Sequence, residues 1–327
     1  MAIASVPGQD RAKRLLRGML RSGKVAHAYL FAGPSGTGRG AMAQAFAMAL
    51  LCERGGDDAC GECLTCRKVE HGNHPDLHRI VPDGQTVKID QIRELQRELS
   101  YRSAGSQRKV YVIEAAETMT VQAANSLLKF LEEPPSPVVA ILIAPSEQAM
   151  LPTIVSRTQL VPFTPGDPKA MEDQLVREGT PSLIAKSVVH LSAGLEAGRA
   201  LAAENWFAEI RNVVIQLGRE IPSRFPGVLL TAQQQVFKTD LAEHTDILLQ
   251  LFALWYRDMI YVMTGREERL VFPDQSEWLS KHAWTRSIHD WTRSMEAALS
   301  AVRRIKANVQ PQLAFEQFLV TSAQTAG

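Results

Sequence analysis

His27-Ala-Tyr-Leu-Phe-Ala-Gly-Pro-Ser-Gly-Thr-Gly-Arg-Gly-Ala-Met-Ala-Gln-Ala-Phe-Ala-Met-Ala-Leu-Leu51 sets a short apolar run, a glycine-rich turn and an alanine- and leucine-rich run in direct succession. Residues 27–32 read as a buried strand, and the run from Ala41 to Leu51 as a helix opening out of the turn. Strand, glycine loop and helix together form the arrangement of a phosphate-binding unit. Upstream, Leu15, Leu16, Met19 and Leu20 recur with helical spacing between Gln9 and Arg21. Downstream, strands are expected at Leu77–Val81, Lys109–Ile113 and Val138–Ile143, with helices at Ile89–Leu99 and Ala123–Leu131. The second of these helices is ended by Glu132-Glu-Pro-Pro135, because consecutive prolines cannot continue it. Alternating strands and helices predict an α/β domain with a mostly parallel sheet.

A working P-loop, GxxxxGK[ST], cradles phosphates with backbone N–H groups, sets a lysine on the β- and γ-phosphates and lends a hydroxyl to Mg²⁺. Here the glycines stand at Gly33, Gly36 and Gly38, but Arg39 takes the lysine position and Gly40 the hydroxyl position. Gly40 has nothing to offer a metal, and a planar guanidinium does not replace a compact ammonium. The strand Lys109–Ile113 should end in two acids, one for the metal and one to orient the attacking water. It ends in Glu114 and Ala115. By itself the glycine loop leaves open a second reading, a turn in an unrelated α/β protein.

All four cysteines fall within fifteen residues, at Cys52, Cys60, Cys63 and Cys66. Four thiolates are the number that closes a tetrahedral structural zinc site, and Gly61 eases the tight turn that CxxCxxC spacing requires. Disulfides, free thiols and an iron–sulfur cluster are the other readings of the same residues. His71, His74 and His78 lie just downstream, but four cysteines already saturate a metal.

With 327 residues the chain fits two or three domains. Apolar residues make up 45% of it, yet no apolar run approaches the length of a membrane helix. The first residues lack a secretory h-region, so the cytosol is the expected compartment. The formal net charge of +1 argues against a stand-alone binder of duplex DNA. Pro162-Phe-Thr-Pro-Gly-Asp-Pro168 marks a boundary, after which strand character disappears and a small helical domain is expected through about Glu204. From Trp206 onward amphipathic segments near Phe207–Leu217, Asp246–Met263, Trp284–Ile305 and Gln312–Ser322 predict a helical bundle.

Val6-Pro-Gly-Gln9, His27-Ala-Tyr-Leu-Phe31, the glycine loop, the cysteine cluster, Ala124-Asn-Ser-Leu-Leu-Lys-Phe-Leu-Glu-Glu-Pro-Pro135 and Leu151-Pro-Thr-Ile-Val-Ser-Arg157 follow one another in unbroken order. Together they resemble the bacterial DNA polymerase III clamp-loader family. The NxLLKxLEEPP and LPTIxSR segments are specific to that family, whereas the glycine loop alone is not. Less specifically, Trp255-Tyr-Arg-Asp258 and Asn308-Val-Gln-Pro-Gln-Leu-Ala-Phe-Glu316 resemble its C-terminal collar.

The resemblance implies an AAA+ module of P-loop type over residues 1–164 with an inserted zinc module (52–66), a helical lid (165–204) and an all-α collar (205–327). The family divides into ATP-hydrolysing gamma/tau subunits and a delta-prime branch that keeps the fold but commonly has degenerate ATP motifs. Arg39, Gly40 and Ala115 place this chain with delta-prime, so productive ATP binding is not expected; an active ATPase of the gamma/tau type that tolerates Arg39 is the alternative. Ala144-Pro145-Ser146, where active relatives carry a polar sensor residue, points the same way.

Among the four cysteines' readings the resemblance implies zinc. It also implies that Arg157, with Ser156 before it and Thr158 in place of a cysteine, acts as an arginine finger on an adjacent subunit's ATP. The partners it implies are gamma/tau and delta subunits, the sliding clamp and primed DNA within the DNA polymerase III holoenzyme, in the bacterial replisome.

Overall fold

Strand residues in the first half of the chain alternate between two apolar layers. Tyr29, Phe31, Val110, Val112, Ile141 and Val161 enter one buried cluster, while Leu30, Tyr111, Ile113, Ala140 and Leu142 enter another on the opposite face. A sheet covered on both faces needs strands that are apolar throughout, which is why these runs show no polar alternation. The computed structural model describes residues 2–100, 108–132, 137–222 and 225–324.

The strands are β1 (Ala28–Ala32), β2 (Leu77–Ile80), β3 (Lys109–Ile113), β4 (Val138–Ala144) and β5 (Gln159–Pro162). All four pairings are parallel, in the order β2-β3-β4-β1-β5. Helices α1 (Asp10–Ser22) and α2 (Arg39–Leu51) cover one face. A short helix, α3 (Leu64–Glu70), lies in the cysteine segment and packs on α2. The other face is covered by α4 (Ile89–Ser100) and α5 (Val121–Glu132), and a single turn, α6 (Pro152–Val155), leads into β5.

The expected strands and helices are all present, and α5 stops at Glu132. Glu133, Pro134 and Pro135, the residues expected to stop it, lie outside the described residues. Strand β5 was not anticipated. It has four residues, only Val161 is fully buried, and it ends in a proline, a residue tolerated because β5 is an edge strand.

The chain divides into two compact units, Met1–Asp167 with Ala193–Ala197, and Pro168–Ser192 with Gly198–Gly327. The second unit is helical. It holds α7 (Pro168–Arg177), α8 (Ser182–Val188), most of α9 (Leu195–Ala203), α10 (Asn205–Glu220), α11 (Phe225–Ala232), α12 (Thr245–Met263), α13 (Ser276–His282), α14 (Ile288–Lys306) and α15 (Pro311–Gln324). Among the described residues no helix is long and apolar enough to cross a membrane.

The helix expected over Trp284–Ile305 begins later, at Ile288, because Ser287 and Asp290 form a capping box that fixes its start. Trp284 is left exposed, whereas Trp291 is buried and donates its Nε1–H to the Ala283 carbonyl at 2.8 Å.

Helix α12 carries a fully buried carboxyl, Asp258, whose Oδ2 accepts from the backbone N–H groups of Val271 and Phe272, both at 2.8 Å. Its Oδ1 has no hydrogen-bond partner, and the nearest cation, Arg257, stands 4.0 Å away. Burial pushes this acid up to about 7, against the lowering effect of the two N–H donors and Arg257. An unfolded aspartate titrates near 4, so the native state holds the extra proton between the two values. Stability from this group is therefore present below about pH 4 and is lost as pH rises through 7. Asp258→Asn, which keeps an acceptor and removes the charge, is expected to flatten that fall in denaturant melts between pH 5 and 8. A pH profile parallel to the parent's would contradict it.

Candidate functional site

At the C-terminal edge of the sheet the chain leaves β1 through the glycine loop. This edge is where open parallel sheets bind ligands. Gly36 and Gly38 have φ of 84° and 83°, a conformation that L side chains rarely adopt. Ala193–Ala197, which belongs to the same unit, lies directly on the loop. A Cβ on Gly194 would stand 2.2 Å from the Gly36 carbonyl oxygen, and one on Gly36 would stand 2.8 Å from Ala197 Cβ. Two backbones meet here without room for an intervening side chain.

Arg39 does not extend from the loop. Its Nη1 donates to the Ala144 carbonyl at the end of β4, an oxygen that also accepts from the Gly33 N–H at 3.2 Å. Burial lowers this guanidinium from the ordinary arginine value, and Glu117 partly opposes that effect. Glu114, the one carboxylate where an acidic pair is expected, is ion-paired with Arg79 of β2 at 2.5 Å. Ala115 begins a turn with φ 45°. Ser146 accepts from the Ala149 N–H at 3.2 Å and so caps the turn after β4. Arg39, Glu114 and Ser146 are thus engaged within the chain, and Gly40 and Ala115 carry no hydroxyl or carboxylate.

The opposite edge of the sheet holds Arg157. In the parallel register Tyr29 of β1 pairs with Gln159 and Ala32 with Pro162, so Arg157 lies before the N-terminal end of β5 while the glycine loop leaves the C-terminal end of β1. The length of β1 separates the two, roughly 13 Å at the usual rise per residue. The turn α6 presents the arginine. Leu151 and Pro152 start it, Ile154 anchors it in the core, and Ser156, Arg157 and Thr158 close it through bonds of 3.0–3.1 Å to Pro152, Ile154 and Val155 carbonyls.

The Arg157 guanidinium lines a surface groove of about 460 Å³ together with His27, Glu132, Ser156 and Gln159. Its Nε donates to Glu132 Oε1 at 2.9 Å and its Nη2 stands 2.5 Å from the same oxygen. Nη1 donates to the Thr153 carbonyl at 3.1 Å and to Ser156 Oγ at 3.3 Å. Sequence reasoning singled out Arg157 and Ser156 but not Glu132 or His27, although both stood inside the quoted motifs.

The four cysteine sulfurs lie within 4.8 Å of one another, with Cys60 Sγ and Cys66 Sγ at 3.8 Å. Thiolates at about 2.3 Å from a tetrahedral zinc would stand about 3.8 Å apart, so the residues fit such an ion. The Cys63 N–H donates to Cys60 Sγ and the Cys66 N–H to Cys63 Sγ, both at 3.4 Å, as α3 begins. The Cys63 and Glu62 N–H groups hold the Cys60 thiol down to about 6, while burial pushes the Cys66 thiol up.

Of the three histidines, the structure places none in this cluster. His74 is buried and accepts from the Asp76 N–H at 3.1 Å, and His78 pairs with Glu98 at 2.7 Å. The cysteine segment is also tied to the front of the chain. Asp58 accepts from the Ile3 and Ala4 N–H groups at 2.8 and 2.9 Å, and Asp57 is ion-paired with Arg17 and Arg21 of α1.

A P-loop-type parallel sheet with helical elements after it, a glycine loop at one edge and a presented arginine at the other defines an AAA+-shaped protein. A family described as "DNA polymerase III, delta subunit" matches residues 8–167. The subunit delta′ of DNA polymerase III from Bacillus subtilis is 36% identical over 95% of this chain and 95% of its own length. The Pseudomonas aeruginosa subunit delta′ is 32% identical over 92% and 93%. Subunit tau of Bacillus subtilis is 35% identical, but over only 48% of this chain and 28% of its own. In fold, the chain is similar to a gamma subunit-related protein of Thermotoga maritima, with a TM-score of 0.52 at 20% identity, covering 97% of this chain and all of that one. The chain belongs to the delta′ family of DNA polymerase III clamp-loader subunits.

Proposed function

We propose that this chain is a non-hydrolysing member of a clamp-loader assembly that supplies Arg157 to the ATP site of a neighbouring subunit. In this reading it joins gamma/tau and delta subunits to load the sliding clamp onto primed DNA. The observation that carries it is the placement of Arg157 at the sheet edge opposite the chain's own glycine loop. An arginine so placed serves a phosphate on another molecule. Residues 1–164 are the AAA+ module, 165–204 the lid and 205–327 the collar through which subunits join.

Side chains beside the chain's own glycine loop are engaged from within. Arg39 is bound to Ala144, Glu114 to Arg79, and Gly194 lies on the loop. The position of the Mg²⁺-binding hydroxyl is taken by Gly40, and that of the second carboxylate by Ala115. Cys52, Cys60, Cys63 and Cys66 hold a zinc ion whose role is structural, since four thiolates leave no open position. Titrating the isolated chain with Mg·ATP in a calorimeter is expected to give no magnesium-dependent heat and no released phosphate. Steady hydrolysis would instead favour an active ATPase of the gamma/tau type.

A further inference from the structure

Arg157 is exposed enough to reach another molecule, yet it is not loose. Three hydrogen bonds and an ion-pair contact tie it to groups of its own chain, and the Nε bond and the Nη2 contact converge on one oxygen of Glu132 at the end of α5. Glu132 and Arg157 are twenty-five residues apart and are brought together only because α5 ends beside the turn α6. A long side chain held at both its Nε edge and its Nη1 end has surrendered most of its rotamer freedom before any partner arrives. The pair is half-exposed, with side-chain accessibilities of 36% and 51%, and such pairs add little to folding. Its effect therefore falls on where the guanidinium sits and not on whether the domain is folded.

We propose that Glu132 is a positioning residue for Arg157, holding the guanidinium over the groove beside His27 so that its remaining N–H meets a neighbour's phosphate without a search. This rests on the reading of Arg157 as an arginine that acts in trans. The carboxylate acts through the arginine. Thr153 and Ser156 hold the other end of the guanidinium by contacts that survive loss of Glu132, so the effect of removing it is partial.

The test uses the reconstituted complex with an ATP-hydrolysing partner, comparing Glu132→Ala, Glu132→Gln, Arg157→Ala and the double variant. Restored side-chain freedom is expected to lower the partner's kcat by about 3- to 10-fold in Glu132→Ala with KM for ATP unchanged. Glu132→Gln, which keeps an acceptor for Nε, is expected to recover part of that loss. Glu132→Ala should cost nothing further when Arg157 is already alanine, because a residue that acts through Arg157 has nothing left to position. Full turnover in Glu132→Ala alongside a large loss in Arg157→Ala would overturn the positioning role and leave the finger intact. An additive loss in the double variant would overturn it as well. No loss in Arg157→Ala would remove the underlying reading itself.

Discussion

Removing the proposed zinc ion from the cysteine cluster, by chelation or by Cys63→Ser, is expected to lower the melting temperature of the first unit by at least about 10 °C. The size follows from where the cluster sits. Cys52 and Cys66 are part of the same buried layer as α1, α2 and the strand residues Tyr29 and Phe31. Asp57 and Asp58, between Cys52 and Cys60, hold α1 and the backbone at Ile3 and Ala4. Without the ion, four buried or half-buried thiols lose their common partner, and the segment that ties the front of the chain to α2 loses its closure. Losses of a structural metal are among the largest single changes a domain suffers, on the order of 5 kcal/mol or more. Differential scanning calorimetry with and without chelator, beside metal analysis of the protein as purified, checks this. An unchanged melt, or protein that folds with no zinc bound, would contradict it.

Replacing Arg157 by alanine is expected to leave folding and assembly intact while lowering ATP turnover at the neighbouring site it is proposed to enter by about 10³-fold or more. An arginine finger acts by meeting charge that develops on the transferring phosphoryl group, so its loss falls on kcat far more than on binding. Folding should be spared because the side chain is partly exposed, its ion pair with Glu132 is weakly stabilising, and the turn that carries it is anchored by Ile154. Single-turnover hydrolysis in a complex whose other ATP sites are inactivated measures the effect. Lysine at position 157 is a poor replacement, since a point charge cannot supply the planar fork.

Most of the sheet could be read from sequence because both its faces are buried, which makes β1, β3 and β4 short apolar runs. Strand β5 could not, since Gln159-Leu-Val-Pro162 is short, half-exposed and defined by pairing to β1 and not by its own composition. The late start of α14 was written in Ser287 and Asp290, but the apolar spacing that extends back to Trp284 masks it. At the site, residue types announced what was missing at Arg39, Gly40 and Ala115. They gave no sign that Arg39 would turn onto the Ala144 carbonyl or that Gly194 would lie against Gly36, because both contacts join segments far apart in the chain. The four cysteines were the most legible feature, being close in sequence before they were close in space. The pairing of Glu132 with Arg157 was visible only as two motifs, and their adjacency belongs to the fold.

In the proposed function this chain's arginine serves a neighbour while its own glycine loop serves no nucleotide. One comparison separates the two halves: ATP turnover by an assembled complex in which this chain carries Arg39→Ala, set against the same complex with Arg157→Ala. Turnover is expected to survive the first substitution and to collapse at the neighbouring site with the second. Turnover that collapses with Arg39→Ala and survives Arg157→Ala would contradict it.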